Sequence, residues 1–185
     1  MSIDDIIKKK DARVGQYAFE TKNLDGPSED FLEESASLIG YIVHSFNSLE
    51  EELTSQISGL FFDDCDTLGL LVTCKMSYSQ KVDLFKRLLL CEQETLERTI
   101  PCFNSLIQNL TDAGTLRNKV VHADWESAHP NGYTLCKVKV NSQGVQHEYV
   151  QFSIDSLNNI LDLINRNTEM FETYEEEHEA ILHAR

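Results

Sequence analysis

The 185-residue sequence contains no long apolar segment. No stretch approaches the roughly 18 to 20 consecutive apolar residues that a membrane-spanning helix requires. The first residues, Met1 to Asp5, lack the apolar core of an export signal. We therefore expect a cytoplasmic protein with no membrane partner.

Paired cysteines and the common catalytic motifs are also missing. The five cysteines form an odd set without a C-x-x-C pair, which fits neither a disulfide framework nor a zinc site, so reduced thiols are expected. The sequence His178 to His183 reads H-E-x-x-x-H, one residue too long to place both histidines on one helical face. No glycine-rich phosphate loop, paired-carboxylate spacing or G-x-S-x-G turn occurs. We expect no cofactor and no metal ion.

Positive charge is scarce. Lys and Arg number 16 against 31 Asp and Glu, a net charge of -15, which argues against sequence-blind binding to polyanions because phosphate contacts need cations. From Asp25 to Asp66 there are 11 acidic residues and no Lys or Arg, whereas 7 basic residues face 6 acidic ones between Thr67 and Trp125. An RNA would have to dock in this neutral middle, and no DNA partner is expected.

The length fits one well-buried domain with additional ends. Residues 1–27 are predicted to form an N-terminal arm with a short helix from Ile3 to Lys10. Residues 28–171 form the helical domain. Residues 172–185 form an acidic C-terminal tail, too acidic to bury much surface.

Apolar residues at three- and four-residue steps predict several helices. A long helix begins after the N-cap Ser28 and continues for nearly thirty positions. Pro101 is expected to bend or restart a helix predicted at about 92–111. Gly114 is expected to lie in a loosened segment, 111–114, after it. The remaining helices are predicted at about 80–91, 92–111, 115–123 and from the Ser153 cap onward.

Two β-rich segments between residues 133 and 152 flank Asn141-Ser142-Gln143-Gly144 and predict a β-hairpin. The fold class is therefore all-α. We expect an up-and-down bundle of four to five helices with a small β-hairpin inserted before the C-terminal helix.

The residues with the clearest chemical potential are Arg117, Asn118 and His122. On a helix, Asn118 and His122 lie on one face about 40 degrees apart, with Arg117 flanking them. The apolar side chains on the other side would anchor the segment to the bundle; they are Leu116, Val120 and Ala123. A fixed helix can hold an Arg and a His in place to act on one phosphodiester.

The segment Leu116 to Ala123 resembles the R-x(4-6)-H signature of HEPN domains, in the form with a polar residue after the Arg. HEPN domains are helical bundles that carry this motif near the start of a late helix or the end of a long one. The resemblance implies a metal-independent endoribonuclease, a toxin or an antiphage or stress effector, whose homodimer brings two motifs together on an RNA substrate.

The resemblance also implies roles for the three residues. His122 would act as general base or acid on the ribose 2'-hydroxyl and the leaving oxygen. Arg117 would hold the scissile phosphate, and Asn118 would orient His122 or the phosphate. The products would carry a 2',3'-cyclic phosphate and a 5'-hydroxyl.

An antitoxin or another subunit of a defence system is a further candidate partner. HEPN proteins paired with a nucleotidyltransferase antitoxin often continue the motif as H-x-Tyr. Here Asp124 stands at the tyrosine position, so that class of antitoxin is not indicated.

A plainer interpretation remains open. Arg117 could pair with Asp112 or Asp124 at a surface helix end, where a protonated His122 would suit the helix dipole. The protein would then be a non-catalytic HEPN-like bundle that dimerises or binds a partner. Trp125 is expected to be a packing anchor, and the Glu50 to Glu52 run is either a solvated face or a surface for a basic protein.

Overall fold

A computed structural model describes residues 3–13, 29–61, 66–125, 133–142 and 144–183. Over these residues the chain is mostly helical, with six helices and one small three-stranded antiparallel sheet. In chain order they are α1 (Ile3–Ile6), β1 (Lys8–Arg13), α2 (Glu29–Gly59), α3 (Asp66–Thr73), α4 (Tyr78–Leu96), α5 (Phe103–Val121), β2 (Tyr133–Asn141), β3 (Gly144–Gln151) and α6 (Ile154–His183). A predominantly helical class with a small β element is confirmed.

The chain divides into two compact units. Residues 1–43 and 115–161 form the first, here called the sheet unit, and residues 44–114 and 162–185 form the second, the helical unit. Negative charge is concentrated in the helical unit, whose residues include 7 Lys and Arg against 18 Asp and Glu.

Aromatic side chains form the centre of the helical unit. Phe85 of α4 meets Phe171 and Tyr174 of α6 edge to face, at centroid distances of 6.0 and 5.5 Å. All three rings are buried, and such pairs add to the stabilisation that burial itself provides. At the edge of this unit, Lys81 Nζ lies 2.8 Å from the Glu50 carboxylate and joins α4 to α2.

Gly114 lies inside a continuous helix, so the prediction of a loosened segment at 111–114 is wrong. The glycine is needed for close packing. A Cβ at position 114 would lie 2.8 Å from the ring of Tyr78, whose hydroxyl donates a hydrogen bond to the Leu110 carbonyl at 3.0 Å. The motif therefore lies at the end of a 19-residue helix and not on a short separate one.

The boundary between α4 and α5 also differs from the predicted one at residue 91. The helix continues to Leu96 and ends at Glu97, which adopts the left-handed conformation with φ 52°. Gln93 Oε1 then accepts a hydrogen bond from the Ile100 backbone N–H at 2.8 Å, which helps hold the connection. Pro101 precedes the restart at Phe103, so of the two alternatives, bend or restart, the restart is correct.

Helix α6 begins as predicted at the Ser153 cap, where Ser153 Oγ accepts a hydrogen bond from the Ser156 backbone N–H at 3.1 Å. It then continues to His183, through residues predicted to be an acidic tail that buries little. Tyr174 is buried because it follows Phe171 by one helical turn on the inner face. Glu177 accepts a hydrogen bond from the Cys102 backbone N–H at 2.8 Å, so this part of α6 is well attached.

The predicted hairpin is present as β2 and β3, with Val140 opposite Val145 and a bulge between Leu135 and Lys137. It belongs to a larger sheet with strand order β1-β3-β2. In place of a helix reaching Lys10, the N-terminal helix ends at Ile6, and Lys8–Arg13 pair with β3 in antiparallel register.

Candidate functional site

Helix α5 positions the predicted site residues at its C-terminal end. Arg117 and Asn118 belong to its last two turns, and the His122 backbone N–H donates to the Asn118 carbonyl at 3.1 Å. This bond extends the helical geometry by one residue beyond Val121. Asn118 and His122 are consequently one turn apart on the same face of the chain.

Packing fixes this end of the helix. Leu116 and Val120 are fully buried, and the Val120 carbonyl accepts a hydrogen bond from the Trp125 indole N–H at 2.9 Å. Trp125 packs against Phe152 at a centroid distance of 5.1 Å, which agrees with its predicted role as an anchor. The next residues are pinned as well, because the Asp124 backbone N–H donates to the Leu135 carbonyl of β2 at 2.8 Å.

An ion cluster joins the same turn of α5 to the sheet. The Lys119 ammonium pairs with the Glu148 carboxylate on the central strand β3, and the two side chains are only 16% and 11% exposed. Lys139 of β2 lies 2.7 Å from the other Glu148 oxygen and 3.7 Å from Asp11 of β1. Lys139 of β2 therefore links the Glu148 carboxylate of β3 to the Asp11 carboxylate of β1, so the cluster includes a residue from each strand.

The cluster has a clear electrostatic consequence. Burial by itself would raise the pKa of Glu148, but hydrogen bonds from Lys119 and Lys139, together with their positive charges, outweigh it and lower the pKa to about 2. Glu148 is thus ionised at all physiological pH values. A buried carboxylate with two ammonium partners is a strong local constraint on the helix end that carries the motif.

The three candidate residues are placed differently with respect to solvent. Asn118 and His122 are exposed, whereas Arg117 is half-buried. Arg117 and His122 are about 140 degrees apart around the helix axis, so they do not share a face by backbone position alone. The Arg117 side chain bridges part of this gap, because its Nη1 donates a hydrogen bond to Asn118 Oδ1 at 3.2 Å.

Acidic partners engage part of the positive charge in the central region. Of the seven basic residues between Thr67 and Trp125, at least three pair with acids of the described residues: Lys81 with Glu50, Arg87 with Asp83, and Lys119 with Glu148. Each pair reduces the attraction that its cation offers to phosphate. The local basic surface is therefore smaller than the sequence count suggests.

Within the described ranges, no group of three or more His, Cys, Asp or Glu side chains is arranged to hold a metal ion. In the same part of the chain, none of the helices has both the length and the apolar character to cross a bilayer.

No family model, curated protein or solved structure matches the chain. The HEPN resemblance therefore depends on the Arg117-Asn118-x-x-x-His122 motif and its helical setting alone.

Glu148 was not among the residues predicted to support the candidate site. Lys119 and Glu148 are 29 positions apart, and only the folded sheet brings them together. The sequence does contain one signal for this role: Glu148 is the single acidic residue in a β-rich segment. A carboxylate on a half-buried strand needs a partner.

Proposed function

We propose that this protein is a metal-independent endoribonuclease of the HEPN type, active as a cytoplasmic homodimer in which two motifs form one composite site. The observation that carries the proposal is the contact between Arg117 Nη1 and Asn118 Oδ1 at 3.2 Å. It turns the guanidinium towards the face that carries the exposed His122, so that a cation and a proton-transfer group project from one rigidly held helix end.

The proposal includes the finer fold, a HEPN-like up-and-down bundle. It is supported by the contacts among α2, α4, α5 and α6 in the helical unit. Gln56 of α2 donates to Glu175 of α6 at 2.5 Å, and Asn167 of α6 donates to the Asn109 carbonyl of α5 at 3.3 Å. Long helices linked by contacts of this kind suit this architecture.

In the proposed reaction, an imidazole of the composite site removes the proton of a ribose 2'-hydroxyl. The resulting oxygen attacks the adjacent phosphorus, and the bond from phosphorus to the 5'-oxygen breaks. An imidazolium donates a proton to that leaving oxygen, so the products are a 2',3'-cyclic phosphate and a 5'-hydroxyl. Arg117 stabilises the negative charge that develops on the phosphoryl oxygens, and Asn118 positions the guanidinium.

Purified protein is tested on end-labelled single-stranded RNA in the presence of EDTA. We expect cleavage by the wild type and a loss of at least about 100-fold in Arg117→Ala and in His122→Ala. The matched control is His183→Ala, which removes an exposed histidine at the end of α6 and should cut normally. A substrate with a 2'-deoxyribose at the cleavage position should resist cutting because it lacks the nucleophile.

The charge distribution favours one alternative, a non-catalytic HEPN-like bundle that binds a protein partner such as an antitoxin or a defence-system subunit. Three of the seven central cations are already paired with acids. This alternative predicts no RNA cleavage by the wild type. It also predicts no growth defect on expression, whereas the ribonuclease predicts a defect that His122→Ala relieves.

A further inference from the structure

Helix α3 places its apolar side chains on the outside. Leu71, Leu70, Leu68 and Val72 are 66%, 54%, 44% and 43% exposed, and we call these four residues the α3 patch. Leu68, Leu71 and Val72 follow the i, i+3, i+4 spacing that places side chains on one helical face. Exposed apolar residues that cluster in this way mark an interaction surface more often than scattered ones do.

The inner face of α3 is made of small residues. Thr73 is buried and its hydroxyl donates to the Gly69 carbonyl at 2.7 Å. A Cβ at position 69 would overlap the Cα and Oγ of Ser58 in α2, so only glycine allows this close approach. The packing of α3 therefore keeps its small residues inside and its leucines outside, because leucines turned inward would force α3 away from α2.

Acidic groups lie beside the patch. Leu70 lines a cleft of about 610 Å³ together with Glu50, Glu51 and hydroxyl groups of α2. Helix α2 contains no Lys or Arg along its whole length. Lys81 is the cation that lines this cleft, and it is paired with Glu50 at 2.8 Å. An apolar surface next to the Glu51 carboxylate, on a helix without Lys or Arg, fits an occupant with leucine-like side chains on one face and positive charge beside them.

We propose that the α3 patch and the adjoining acidic cleft bind a basic amphipathic helix of another protein. Charge decides between the two simplest occupants. A second copy of this chain would bring Glu50 and Glu51 near the same acidic residues, which like-charge repulsion opposes. A basic helix would instead bury the leucines and bring positive charge to Glu51. This surface does not involve Arg117 or His122, so it is independent of the proposed ribonuclease activity.

The test uses the full chain and a designed peptide of about 18 residues, five helical turns, with leucines at i, i+3, i+4 spacing and lysines elsewhere. Binding is measured by fluorescence anisotropy. We expect saturable binding that weakens at high salt. It should fall about tenfold or more when Leu68 and Leu71 are both replaced by Ser, and also in Glu51→Lys. A peptide with glutamate in place of every lysine should not bind.

The matched control is the double variant Val138→Ser with Val140→Ser. It removes two other exposed apolar side chains, leaves the net charge unchanged and should bind normally. Thermal melts establish that each variant is folded, as expected for substitutions at exposed positions. Unchanged peptide binding by Leu68→Ser with Leu71→Ser overturns the proposal. Two further results would also overturn it. If this variant abolishes a dimer that the wild type forms, the occupant is a second copy of the chain. If it abolishes binding to neutral phospholipid vesicles, the occupant is a lipid surface.

Discussion

Lys119 of α5 and Glu148 of β3 form an ion pair between the helix end that carries Arg117 and His122 and the centre of the sheet. Both side chains are largely buried, and Lys139 provides a second ammonium at 2.7 Å from Glu148. Buried charges are stable only when they are paired. Removing one partner of the pair would therefore destabilise the fold and the placement of the motif.

Replacing Glu148 with Gln should lower the free energy of unfolding by about 3 kcal/mol, because it leaves the buried Lys119 ammonium without its counter-ion. Urea denaturation at pH 7 provides the measurement. Lys139→Gln is the control, since its more exposed side chain should contribute less than about 1 kcal/mol. Equal effects of the two substitutions would contradict this assignment.

The contribution of Glu148 should depend on pH in a defined direction. Its pKa is lowered from 4.5 to about 2, so the unfolded chain binds the proton more readily than the folded one. The stabilisation is then complete above pH 4.5 and is lost as the pH falls towards 2. The difference in unfolding free energy between wild type and Glu148→Gln should shrink over this range. A difference that stays constant from pH 6 down to about pH 3 would exclude Glu148 as its source.

Gly114→Ala should destabilise the protein although alanine favours helices. The new Cβ would approach the Tyr78 ring to 2.8 Å, and such overpacking costs about 1–3 kcal/mol against a gain of about 1 kcal/mol in helix propensity. Gly40→Ala in α2 is the matched control, because no atom lies within 4 Å of its added Cβ. We expect a higher melting temperature for Gly40→Ala and a lower one for Gly114→Ala. An increase in both would show that Gly114 is not a packing residue.

The thiols should differ in reactivity. Burial and then the Glu177 carboxylate raise the pKa of Cys102 to about 12, and burial raises the pKa of Cys136 to about 11. Only the thiolate reacts with iodoacetamide. At pH 8 we therefore expect the exposed Cys74 and Cys91 to be modified well before these two, as followed by peptide mass spectrometry. Early modification of Cys102 in the folded protein would contradict the raised pKa of this partly buried thiol.

Local signals in the sequence were sufficient where one segment determines its own structure. The Ser153 cap and the turn between β2 and β3 are of this kind, because the residues that stabilise them lie within a few positions. The motif could likewise be recognised as helical from its own spacing.

The sequence did not reveal features that depend on distant partners. Strand β1 begins Lys8-Lys9-Lys10, a run with low strand propensity, and it forms a strand because β3 provides its hydrogen-bonding partner. A helix break was predicted at Gly114 because the sequence does not show that the Tyr78 ring lies close to this position and leaves no room for a side chain. The same reason hid the role of Glu148, whose partner Lys119 lies on another element.

The most direct measurement of the central claim is the chemistry of the RNA ends after incubation with purified protein in EDTA. Mass spectrometry should find new 2',3'-cyclic phosphate and 5'-hydroxyl ends with the wild type and with His183→Ala, and none with Arg117→Ala or His122→Ala. Intact RNA with the wild type, or the same ends from a folded His122→Ala protein, would contradict the assignment of a ribonuclease site to Arg117, Asn118 and His122.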